Sequence, residues 1–140
     1  MAEGRPARGL ADTSILIGLE RLTAATLPAE ISVSTVTLAE LAAGPHAVTD
    51  PEERARRQER LQLAETTFEA IPVDARVARA YGRLYATAVA AGRKARGRRA
   101  LDLLIAATAL SVQLPLYTCN PSDFTDLTDL VDVRVAERSA

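Results

Sequence analysis

The chain is poor in the residues that most often staple, chelate or stack. It has one cysteine, Cys119, one histidine, His46, and one lysine, Lys94. A lone cysteine excludes an internal disulfide and fits a reducing compartment. One His and one Cys cannot build a His/Cys zinc site. The aromatics are Phe68, Tyr81, Tyr85, Tyr117 and Phe124, too few for an extended base-stacking platform. No glycine-rich phosphate loop occurs, so a nucleotide switch is poorly supported. Long apolar runs are missing too. The longest charge-free stretch, 103–122, contains Gln113, Pro115, Asn120 and Pro121. It reads as a buried helix, a strand and a turn, and not as a membrane span. Glu3, Arg5 and Arg8, followed by Asp12 in the next apolar stretch, do not resemble a secretory signal. The expected location is the cytoplasm.

What is present is ordinary in amount. The 140 residues are 48% hydrophobic and 25% charged, with a formal net charge of -1. Those values predict a folded chain, organised as one domain over 1–140. Short apolar segments alternate with helical patterns. An extended segment over Arg8 to Ala11 ends at Asp12, and Thr13 to Glu20 is helical in pattern. Ile31 to Val33 is a strand candidate, after which Ser34 can cap a helix over Thr35 to Ala43. Asp50-Pro51-Glu52-Glu53 is a strong helix start, and that helix runs to about Glu69. Ala70 to Pro72 is a brief strand, with Asp74 as the cap of an alanine-rich helix over Ala75 to Ala91. A helix over Arg99 to Val112, a strand over Leu114 to Thr118, a turn at Asn120 to Ser122 and a strand over Leu130 to Ala136 complete the chain. This alternation predicts a parallel sheet with helices on both faces, and ligands outside the carboxyl ends of its strands.

Four acids draw attention. Asp12 ends the first strand, Glu40 lies in the helix after the second, and Asp123 follows the strand ending at Thr118. Asp102 begins a helix, sharing a face with Ile105, Ala106 and Ala109. Carboxylates in apolar surroundings cost several kcal/mol unless paired or bound to a cation. No Arg or Lys stands at helical spacing to pair with Glu40, so a divalent metal is one economical partner. Each acid also has a plain explanation. Asp12 can cap its helix, Asp102 can sit favourably in a helix dipole, Glu40 can face solvent and Asp123 can serve a turn.

The segments around these acids resemble a family. Ala11-Asp12-Thr13-Ser14-Ile15-Leu16-Ile17, Ser34-Thr35-Val36-Thr37-Leu38-Ala39-Glu40-Leu41, Asp102-Leu103-Leu104-Ile105-Ala106-Ala107-Thr108-Ala109 and Thr118-Cys119-Asn120-Pro121-Ser122-Asp123-Phe124 are similar, in that order, to the motifs of PIN-domain ribonucleases of the VapC toxin type. The resemblance covers nearly the whole chain. It implies an α/β fold, a single PIN-like domain whose central parallel sheet has about five short strands. It also implies that Asp12, Glu40, Asp102 and Asp123 converge to hold Mg2+ or Mn2+, with Thr13 as an organising hydroxyl. Cys119 departs from the polar or basic residue such proteins often carry there. The implied activity is metal-dependent endoribonuclease cleavage of RNA. The implied partners are a cognate antitoxin, whose tail occupies the acidic groove, and a second copy of the chain; Ile15 to Leu19 and Val77 to Tyr85 are apolar enough for core or interface alike.

Such a site is negative, as is RNA, so cations must come from elsewhere. Arg93, Lys94, Arg96, Arg98 and Arg99 crowd the link before Asp102 and could grip RNA or antitoxin. Arg54, Arg56, Arg57 and Arg60 are mixed with Glu52, Glu53 and Glu59, which reads as a solvated helix face. Two other functions compete. A PIN-like module that has lost activity would only bind. A phosphorelay receiver also sets an acid at a strand end with Mg2+, but usually has paired acids after the first strand and a lysine near the last. Here Thr13 and Ser14 follow Asp12, and Lys94 lies in the basic link.

Overall fold

The computed structural model describes residues 6–139. The segment 1–5, where the sequence was read for a targeting signal, lies outside them. Five strands form one parallel sheet: β1 (Arg8–Ala11), β2 (Glu30–Ser34), β3 (Glu69–Ile71), β4 (Leu116–Thr118) and β5 (Val133–Val135). Five α-helices connect them: α1 (Thr13–Gly18), α2 (Thr35–Ala43), α3 (Pro51–Thr67), α4 (Ala75–Ala90) and α5 (Arg98–Ser111). The strand order is β3-β2-β1-β4-β5. A receiver-type sheet runs 2-1-3-4-5, so the order removes that alternative. Strand order reverses between β1 and β4, and such a switch point opens a crevice at the carboxyl edge of the sheet.

Local chemistry explains where the helices begin. Asp12 Oδ1 accepts the backbone N–H of Ile15, Ser34 Oγ that of Val36, Asp50 Oδ2 that of Glu53 and Asp74 Oδ1 that of Val77. Each satisfies a donor that the first turn would otherwise leave orphaned, worth about 1 kcal/mol. The expected helices therefore start where the caps placed them, but several ends differ. After Gly18 the first helix tightens into a 3-10 turn, Leu19–Arg21. The last helix begins at Arg98, so Asp102 is one turn inside it. The turn after β4 is a longer 3-10 segment, Pro121–Leu127.

Alternation in the strands divides the core in two. Leu10 and Leu116 face a cluster with Val77, Leu84, Ile105 and Phe124, on the side of α4 and α5. Ala11, Val33 and Tyr117 face a second cluster with Ile15, Leu16 and Ala64, on the side of α1 and α3. Helix α2 gives Val36 to the first and Leu41 to the second. Val77 and Leu84 are thus core residues, while Tyr85 and Val89, further along the same helix, stay exposed. The sheet edges are β3 and β5, three residues each. Among the described residues no helix is long and apolar enough to cross a membrane.

One close approach is decisive for the first strand. At Gly9 a Cβ would stand 2.7 Å from Cδ1 of the buried Tyr117 ring and 3.0 Å from Pro28 Cγ. Neither neighbour has room to withdraw. Gly9→Ala is expected to lower stability by about 1–3 kcal/mol, as overpacking of a dense core does; a urea melt with an unchanged midpoint would contradict this account of β1 packing.

Candidate active site

Asp12 is the most enclosed of the four acids, only 5% exposed at the end of β1. Its Oδ1 accepts from Ser14 Oγ at 2.6 Å as well as from the Ile15 N–H. Burial pushes its carboxyl above the ordinary range, against hydrogen bonds from Ser14, Thr118 and Ile15 that favour the charged form. Ser14 Oγ in turn accepts the N–H of Cys119 at 3.0 Å, so the ends of β1 and β4 are tied through one hydroxyl. Cys119 is half-buried and serves here through its backbone.

Glu40 reaches the same region from α2. Thr13 Oγ1 donates to Glu40 Oε1 at 2.5 Å and lies 3.1 Å from the buried Thr37 Oγ1. The other oxygen, Oε2, accepts from Arg98 Nη1 at 3.0 Å. No Arg or Lys stands at helical spacing to Glu40, yet a basic partner reaches it from another element. Its counter-ion comes from 58 residues away, at the first turn of α5, where helical spacing within α2 gives no sign of it.

Asp102 is half-buried, one turn into α5. The helix is fixed against α2 by a 3.1 Å contact between Ser34 Oγ and Thr108 Oγ1. Burial pushes the Asp102 carboxyl up to about 6; Asp123 adds to the rise, Arg98 opposes it, and Asp12 and Glu40 add more. Asp12, Glu40 and Asp123 thus all lie near enough to act on the charge of Asp102. Asp102 and Asp123 also line one narrow cleft with Arg99 and Asp126. Asp126 was not among the expected residues. Its carboxylate is held by Arg93 at 2.6 Å, so Arg93 is committed within the chain. His46 is exposed, in the 3-10 turn that follows α2.

The donor set contains oxygen only, which suits a hard divalent cation. Among the described residues no three His, Cys, Asp or Glu side chains stand close enough together to hold a metal ion. Two physical reasons fit that arrangement. Both oxygens of Glu40 are engaged, and like charges resist closer approach. A small hard cation that keeps several waters requires only one or two direct carboxylates, so the residues fit such an ion. Sequence reading missed Ser14, Thr118 and Asp126. The hydroxyl immediately beyond Thr13 was the available signal for Ser14.

The comparisons with known proteins point to one family. A PIN domain model matches residues 10–129. Ribonuclease VapC5 of Mycobacterium tuberculosis (strain ATCC 25618 / H37Rv) is 36% identical over 133 residues, covering 93% of this chain and 95% of that protein. Ribonuclease VapC8 of M. tuberculosis (strain CDC 1551 / Oshkosh) is 41% identical over 110 residues, covering 78% of this chain and 96% of that protein. The crystal structure of VapBC-5, a member of the VapBC family of toxin-antitoxin systems from M. tuberculosis, superposes with a TM-score of 0.79. It shares 37% identity and covers 93% of this chain and 98% of the matched one.

The sign of the pH effect follows from Asp102. Its folded-state pKa, about 6, lies above the ordinary 3.8. The folded chain therefore holds this proton more tightly than the unfolded chain does. The stabilisation is complete below pH ~4 and is lost as pH rises through ~6. In chelator, Asp102→Asn should melt progressively higher than the parent as pH increases from 4 to 7; parallel melting profiles across that window would contradict the repulsion described here.

Proposed function

Because the chain belongs to the PIN-domain family, as a ribonuclease of the VapC type, we propose that it cleaves RNA phosphodiester bonds with Mg2+ or Mn2+ held by its four acids. The observation that supports this reading most is the nearness of Asp12, Glu40 and Asp123 to the Asp102 carboxyl, whose charge they all disfavour, beside the point where the strand order reverses. Repulsion of that kind is relieved by a divalent cation, and the acids are held in place for it by Ser14, Thr13 and Arg98. When bound, the ion lowers the pKa of water and offsets negative charge on phosphoryl and leaving oxygens.

The chain's own residues have distinct parts in this reading. Asp12 and Asp102 would hold the ion directly, Asp12 being pre-aimed by its cap hydrogen bonds, and Asp123 and Glu40 would hold water around it. Thr13 fixes Glu40, so that its carboxylate points into the crevice in a single rotamer. Asp123 lines the narrow cleft with Asp102. Arg99, Lys94 and Arg96 supply the positive rim that RNA or antitoxin requires, with Arg93 and Arg98 committed to Asp126 and Glu40.

The expected protein partners are a cognate antitoxin and a second copy of the chain. A groove of about 470 Å3 between α1 and α3, lined by Leu16, Leu19, Leu63 and Phe68 together with Glu20, Arg56, Glu59 and Arg60, supports docking of the antitoxin. Tyr85 and Val89 on α4 give a second copy an apolar face.

Purified protein should cut RNA with Mg2+ or Mn2+ and stop in chelator. Asp12→Asn and Asp102→Asn should each lose more than ~100-fold of that activity, beyond the range seen when residues around a metal's ligands are removed. Induced expression of the parent should slow growth where Asp12→Asn does not. Undiminished cleavage by Asp12→Asn, with the parent equally indifferent to chelator, would sink the carboxylate mechanism.

A further inference from the structure

A second depression adjoins the acids. Between α1, α2, α3 and the start of α5 lies a cleft of about 460 Å3, within the ~300–1,000 Å3 typical of small-ligand sites. It shares Thr13 and Glu40 with the acid cluster, so anything anchored there extends naturally into it. Three arginines line it: Arg57, Arg60 and Arg98. Two of them are already engaged. Arg57 donates to Glu53 Oε2 at 2.9 Å and to the Gly44 carbonyl at 3.1 Å, and Arg98 donates to Glu40.

Arg60 is different. It is half-buried, one turn beyond Arg57 on the same face of α3, and among the described residues it makes no hydrogen bond or ion pair. The reading of this helix surface as merely solvated therefore fails at Arg60. A partly desolvated guanidinium without a partner is a standing cost that an anion removes, and its planar fork matches phosphate oxygens in pairs. The other walls are aliphatic. Ile17 and Leu101 line the cleft and keep 44% and 36% of their surface exposed, enough to pack against a ribose or base. A cation, an apolar wall and an open side toward the acids together describe a nucleotide subsite.

We propose that this cleft receives the nucleotide next to the scissile phosphate of the RNA strand. Arg60 takes that nucleotide's own phosphate, and Ile17 and Leu101 pack against its sugar or base. The proposal rests on the ribonuclease reading and adds a place for the substrate beyond the acids. The favoured occupant is RNA because the cleft is continuous with a site built for phosphodiester chemistry. An acidic protein segment is the competing occupant.

The test is binding, kept separate from cleavage. The full chain with Asp102→Asn is titrated into a fluorescein-labelled random-sequence 12-nucleotide RNA pool, read by fluorescence anisotropy at several salt concentrations. Adding Arg60→Gln should weaken binding by about ten-fold or more and flatten the salt dependence by about one unit of log–log slope. The melting temperature should not fall, because Arg60 has no partner to lose. Arg60→Lys should restore the salt slope with only part of the affinity. Arg79→Gln, an exposed arginine on α4 outside the cleft, should bind as the parent does. Equal affinity and slope with and without Arg60→Gln would overturn the proposal, as would an equal loss in Arg79→Gln. A glutamate decapeptide that displaces the RNA and itself loses affinity in Arg60→Gln, while RNA affinity stays intact, would assign the cleft to an acidic protein segment. Retained cleavage by Asp102→Asn alone would instead fault the acid site, a result read independently of Arg60.

Discussion

Negative charge is concentrated where the fold gives it least water. Asp12 is buried at the end of β1, and Asp102, on a helix from the other side of the crevice, carries a carboxyl raised by burial and by its acidic neighbours. Such an arrangement is unfavourable for the apo chain, and the surrounding structure is shaped by the need to tolerate it. Ser14, Thr118 and the Ile15 N–H donate to Asp12. Thr13 and Arg98 take both oxygens of Glu40. Ser34 and Thr108 hold α5, and with it Asp102, against the helix bearing Glu40. The same hydroxyls have local duties as well: Ser34 caps α2 and Ser14 ties the end of β1 to that of β4.

Arginine has two separate tasks in this molecule. Some guanidiniums neutralise acids of the chain itself, as Arg93 does for Asp126, Arg98 for Glu40 and Arg57 for Glu53. Others remain free to meet an outside anion. Counting basic residues along the link before α5 overstates the second group, since two of the five are already paired. The surface of α3, in turn, hides one of the free ones. Net charge near zero is thus compatible with polyanion binding, because the pairing pattern decides which cations are available.

Most of the fold was legible because its instructions are local. Asp12, Ser34, Asp50 and Asp74 each announce a helix start within four residues, and each makes the capping bond. Strand limits were less legible. Leu114 remains bonded to the end of α5 through the Ala109 carbonyl, and Leu130 bonds back to Leu127, so β4 and β5 are shorter than their apolar segments. At the site, ordered motifs singled out Asp12, Glu40, Asp102, Asp123 and Thr13; Thr13 bonds Glu40, and Asp12, Glu40 and Asp123 lie near enough to act on the Asp102 charge. The Glu40–Arg98 pair and the Asp126–Arg93 pair could not be read in advance. Their partners are far apart in the chain, and only the packing of α5 against α2 and the final 3-10 turn makes them meet.

The short margins of the sheet have a consequence for assembly. β3 ends at Ile71 against Pro72, which has no N–H to offer, and β5 is only three residues long with Arg134 at its centre. Neither border is a ready template for an incoming strand. Recruitment of another polypeptide by β-augmentation is therefore disfavoured. Association falls to helix flanks, where side-chain shape governs who is admitted and main-chain pairing, indifferent to sequence, has no vote.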